Sequence, residues 1–169
     1  MSTLEVKAIQ APSGYDLQMP AGHILQVKQT ILTSTVNISS PANRTYSLIS
    51  GLAVSITPKS TSSKILVSIN VCIDTNNNYA VGLHIYRDST QITPAGVSVD
   101  GMTSFLAFQQ PADTRDMGVL QAGSYLDSPN TTSEIVYSVY GAKPTASTAA
   151  LGINTLGGTS QITVMEVAG

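Results

Sequence analysis

The chain has 169 residues, a formal net charge of −2 at pH 7, and a composition that is 42% hydrophobic but only 11% charged. That length suffices for one domain with a sizeable core, and so small a charge leaves no electrostatic footprint for nucleic acid or an anionic membrane. A single cysteine, Cys72, excludes an intrachain disulfide and a zinc cluster.

The charged fraction falls well short of the roughly 25% of ordinary domains. The surface is therefore covered by Ser, Thr, Asn, Gln and Gly, or packed against neighbours. Taken in order, the N-terminus MSTLEVKAIQ shows neither the basic nor the apolar region of an export signal, and no window reaches the ~18 apolar residues of a membrane span. LEVKAI and YDLQMPAG are short alternating runs split by Pro12, Ser13 and Gly14. Residues 1–22 read as an extended arm whose apolar residues Leu4, Val6, Ile9, Tyr15, Leu17 and Met19 contact a partner. Pairing on the edge of its own sheet is the alternative for this segment.

Residues 23–169 read as a β-sandwich. HILQVKQTIL is the first strand, TSTVNISSPAN a polar connection, and RTYSLIS a short strand ending near Ser50 and Gly51. The organising stretch is Gly51–Asp74, which reads as a hairpin. Leu52, Val54 and Ile56 share one face, Pro58 ends the run, and Ile65, Val67, Ile69 and Val71 share a face after the turn. The opposite face of the second strand, Leu66, Ser68, Asn70 and Cys72, is mixed, which predicts contact with a neighbouring subunit. YAVGLHIYR follows as a strand, QITPAGVSVDGMTSFLAFQQ as two or three short ones, DMGVLQAGSYLDSP as an irregular stretch, and TTSEIVYSVY, ALGIN and QITVMEV as the last strands. Short strands at 8–12-residue spacing with no helical period point to an all-β sandwich, with a jelly roll as the expected topology.

No catalytic constellation emerges. His23 and His84 lack a second histidine or a carboxylate at ligand or dyad spacing. Asp74, Asn76 and Asn78 alternate like the start of a calcium loop, but Tyr79 and Ile85 stand where that loop needs Gly and Glu. Cys72 inside a strand reads as a core thiol. The expectation is a non-enzymatic protein with no cofactor and no metal, binding neither nucleic acid nor membrane.

GLAVSITPKSTSSKILV, LDSPNTTSEIVYSVY and QITVMEVAG together resemble a family of small virion structural proteins of tailed bacteriophages, over roughly residues 22–169. The resemblance implies a jelly-roll head of the tumour-necrosis-factor type, associating as a homotrimer and located in the virion after assembly in the host cytoplasm. It implies a capsid decoration (cement) protein that docks on the major capsid protein or another virion protein. The alternative is the head of a tail-fibre or neck appendage that binds a host-surface glycan.

Overall fold

A computed structural model of the chain describes residues 20–38, 44–75, 80–99, 101–109, 117–143 and 151–169, and every regular element among them is a β-strand. In chain order these are β1 (Ile24–Leu32), β2 (Val36–Ile38), β3 (Ser47–Ile56), β4 (Lys64–Thr75), β5 (Ala80–Arg87), β6 (Thr90–Gln91) and β7 (Val97–Val99). They continue as β8 (Met102–Ser104), β9 (Leu106–Gln109), β10 (Met117–Asp127), β11 (Ile135–Ala142), β12 (Leu151–Ile153) and β13 (Ser160–Val167). The predicted arm residues Leu4, Val6, Ile9, Tyr15, Leu17 and Met19 lie outside the described residues.

The long strands form two antiparallel sheets. One runs β1-β13-β4-β10, with β12 and β2 continuing it beyond the far end of β13; the other runs β3-β11-β5-β9, with β6 also on β5. Every connection from one of β1, β3, β4, β5, β10, β11 and β13 to the next of them crosses from one sheet to the other. The alternation read from the sequence explains why the sheets stack: Ile65, Val67, Ile69, Val71 and Ile73 of β4 are all at most 1% exposed. They share one core with Leu52 and Ile56 of β3, Leu83 and Ile85 of β5, and Tyr137 and Val139 of β11. Each such aliphatic side chain contributes about 1.5–3 kcal/mol on full burial.

The crossings correct the expected hairpin at Gly51–Asp74. Both strand patterns and the proline stop are present, but β3 pairs with β11 while β4 pairs with β13 and β10. The connection between them spans the gap between stacked sheets, ~10 Å, and its turn, where Ser63 N–H donates to the Ser60 carbonyl at 3.2 Å, does not pair β3 with β4. It is held by Glu166, a buried carboxylate of β13 that accepts the Lys59 amide at 2.6 Å and the Gln26 side-chain amide at 2.5 Å. Burial pushes this carboxyl up, but the Gln26 and Lys59 hydrogen bonds and the Lys59 charge outweigh it and hold it below the usual range.

Two further expectations shift. The break expected at Ser50 and Gly51 is a bulge inside one strand: the register of β3 on β11 slips between Ser138 and Tyr140, and Gly51 takes φ +82°. The stretch DMGVLQAGSYLD, irregular in pattern, is the regular β10, in unbroken register with β4 from Met117 to Asp127. At the far end of the core the Tyr137 hydroxyl donates to Asp127 at 2.7 Å, and Arg87 pairs with the same carboxylate oxygen at 2.8 Å. Burial first, then that carboxylate, drives the Tyr137 phenol far above its ordinary value, so it stays a donor. The sandwich closes where Gly22 N–H donates to Ala168 and Ala168 N–H donates to His23, both at 2.8 Å.

Candidate interaction surfaces

The outward side of the β1-β13-β4-β10 sheet is built by the mixed face read from β4. Inward alternates fill the core, so the outward alternates of four strands come into lateral register as rows. Val27, Met165, Leu66 and Leu126 form an apolar row. Next to it stands a row of Gln29, Thr163, Ser68 and Ser124, then one of Ile31, Gln161, Asn70 and Ala122. Cys72 and Leu120 begin a fourth. Val27, Ile31, Leu120 and Leu126 are 49–61% exposed. No side chain in these rows is charged; Lys64 lies beyond the apolar row, its amine donating to Ser128 at 3.2 Å. The row amides and hydroxyls partly satisfy one another: Gln29 Nε2 donates to Thr163 Oγ1 at 2.9 Å. A flat face of apolar groups and internally paired amides can be dehydrated without stranding a charge.

At the Cys72 end, the turn after β12 folds over this face. Asp74 Oδ2 accepts the Thr155 amide, the Thr155 hydroxyl at 2.7 Å and the Leu156 amide at 3.0 Å. That use of Asp74 is the anchoring of a turn; Asn76 and Asn78 of the calcium-like run lie outside the described residues. Asn154, at φ +60°, donates to the carbonyls of Leu32 and Ser34 and accepts the Ser160 hydroxyl, which ties this turn to β1 and β13. Cys72 is corrected from core thiol to half-buried thiol on the outward face. Its Sγ lies 3.8 Å from the Gly157 carbonyl, and burial followed by the Asp74 charge raises its pKa, which disfavours the nucleophilic thiolate.

The other sheet differs. Outward side chains of β5 are covered by Tyr46 and the β7-β8 hairpin. At Gly82 a Cβ would collide with Ser104 Oγ, the Tyr46 hydroxyl and Met102, so only glycine fits beneath that cover. His84, 1% exposed, has its Nε2 3.2 Å from the Thr103 carbonyl and its Nδ1 2.9 Å from Thr93 Oγ1. A carbonyl can only accept, so Nε2 carries the proton and Nδ1 accepts from Thr93, whose oxygen in turn takes the Ile85 amide. Burial lowers the His84 pKa. The imidazole is thus a neutral, fully bonded structural group, and sequence spacing held no sign of its partners. Beside this cover, Tyr86 and Tyr140 stack with centroids 3.9 Å apart at 28°. Both are half-exposed, with Leu48 next to them at 46% exposure.

Among the described residues no three His, Cys, Asp or Glu side chains cluster to hold a metal ion. His23, exposed, accompanies the Pro20 carbonyl at 3.0 Å, far from His84 in the chain and just before β1.

No family model and no curated protein matches the chain. Solved structures do. The structure of infectious bursal disease virus, Gx strain, matches at 10% identity and TM-score 0.49, over 97% of this chain and 37% of that one. The VP2 subviral particle of the same virus matches at 10% identity and TM-score 0.48, over 97% and 38%. The chain thus spans less than two-fifths of the length of these two. A disulfide-linked pilus of Bacillus endospore appendages matches at 15% identity and TM-score 0.28, over 92% of this chain and 100% of that one.

Proposed function

We propose that this chain is a non-enzymatic structural subunit of a virus particle, a bacteriophage capsid decoration protein that docks on the shell as a homotrimer. The observation that carries the reading is the uncharged outward face of β1-β13-β4-β10, through which copies pack. Supporting it are the two-sheet strand order, which we infer to be a jelly roll, the low charge of the whole chain, and the family resemblance of its strand and turn motifs. Tyr15, Leu17 and Met19 of the N-terminal arm then reach the major capsid protein. The test is binding of purified protein, full-length and lacking residues 1–22, to capsids stripped of it. Arm-dependent binding in a copy number that matches the capsid symmetry axes is the expected result; adsorption to host cells with no capsid binding overturns it.

The half-exposed Tyr86 and Tyr140 stack favours the appendage reading, because an aromatic platform flanked by hydroxyls suits the apolar face of a sugar ring. Glycan-array binding that disappears in Tyr140→Ala supports that second reading.

A further inference from the structure

The end of a sheet exposes unpaired N–H and C=O groups, and proteins blunt such edges with short strands, bulges, lysine or proline. Nearly every edge of this sandwich carries such a device. The edge strands β2, β6 and β9 have three, two and four residues. β1 is bulged between Ile24 and Gln26 and presents an exposed Lys28, and β3 is bulged at Gly51. β10 carries none. It is eleven residues long, in unbroken register with β4, and neither charge nor proline occurs from Met117 to Leu126. Among the described residues β10 pairs with β4 alone.

The size of the uncharged face bears on what covers that edge. Four strands about 4.8 Å apart and rows spread over seven residues at about 3.3 Å each give a patch of roughly 440 Å² in projection. One side of a stable interface covers about 800 Å². A contact made through this face alone therefore leaves the interface short, and an added strand would make up contact through main-chain hydrogen bonds.

We infer that the open edge of β10 is completed by the segment Leu4–Ile9 of a second copy of this chain, added as a further strand. LEVKAI alternates as a strand does. β1 begins at the end of the sheet where β10 finishes: Ile24 pairs with Val167, Val167 with Lys64, and Asp127 with Ile65. From β1 to a position beyond β10 of the same subunit is four strand spacings, about 19 Å, and residues 10–21 span up to about 40 Å when extended, so the segment has length to spare for an edge beyond its own sheet. Supply by a second copy rests on the trimer reading; the β10 edge, unpaired among the described residues, does not.

The test uses protein lacking residues 1–19 and a fluorescent peptide of residues 2–12. Saturable binding is expected, lost when the peptide carries Val6→Pro, and at least tenfold weaker to the full-length protein, whose edges are already filled. No binding to the truncated protein, or binding indifferent to Val6→Pro, overturns the inference even if the full-length chain sediments as a trimer. Peptide binding by truncated protein, with a full-length chain that sediments as a monomer, refutes both the second copy as donor and the trimer reading. Competition by a capsid-protein segment, with none by the residue 2–12 peptide, assigns the edge to the shell and overturns the inference as well.

Discussion

Ser68 stands in the middle of the uncharged face, between Thr163 on β13 and Ser124 on β10. Ser68→Lys therefore separates a free face from a packed one. On an isolated subunit the change is an outward substitution on a strand, with an effect within about 0.5 kcal/mol, because the lysine stem lies along the Leu66 and Asn70 side chains and its amine reaches water. In an assembly that covers this face the amine is buried without a counter-ion, since no carboxylate occupies any row and Asp74, further along the outward side of β4, is engaged by the turn after β12. Leaving a buried charge unpaired costs about 3–5 kcal/mol, which at 1.4 kcal/mol per decade weakens association roughly 10²–10⁴-fold. Sedimentation velocity across a dilution series reads the loss directly, and thermal unfolding of the monomer fraction checks that the fold is intact. A Ser68→Lys protein that sediments as wild type at every concentration refutes the argument that copies pack through this face.

Ile69→Asp, one residue further along β4 and pointing the opposite way, places an unpaired carboxylate in a side-chain site only 1% exposed; loss of more than about 4 kcal/mol is expected, read as insoluble expression or absence of a cooperative thermal transition. Tyr137→Phe removes the donor to Asp127 but keeps the ring, and a loss of about 1.5–3 kcal/mol in urea midpoint analysis is expected for a hydrogen bond to a charged acceptor. His84 gives a pH dependence. Burial lowers its pKa in the folded chain, so below the unfolded value of about 6.5 the unfolded chain binds a proton that the folded one refuses. Stability is thus full above pH 6.5 and falls as the pH drops through 6.5 toward the folded pKa. Thermal midpoints between pH 7.5 and 5 check this, with His84→Gln expected to flatten the curve in that window.

The parts of this fold that sequence alone resolves are those that depend on neighbours two residues away. Alternation placed Ile65, Val67, Ile69 and Val71 inward and Leu66, Ser68, Asn70 and Cys72 outward, and burial follows that division residue by residue. Partner choice is a different kind of information. β4 is paired with strands that begin 96 and 53 positions after its Lys64, at Ser160 and Met117, and nothing within Gly51–Asp74 distinguishes a hairpin from a crossing between sheets. β10 was obscured for a related reason: its inward side holds Gln121 and Gly123 as well as Val119 and Tyr125, while its outward side holds Leu120 and Leu126, so neither alternate reads as core. A strand whose two sides are about equally apolar has no interior to choose on its own. On the reading proposed above, the same ambiguity marks a strand whose outward side and backbone edge, unpaired among the described residues, are covered after the subunit has folded. The mixed face of β4 and the weak pattern of β10 are therefore one physical signal: side chains that water tolerates and a neighbouring copy can exclude from it.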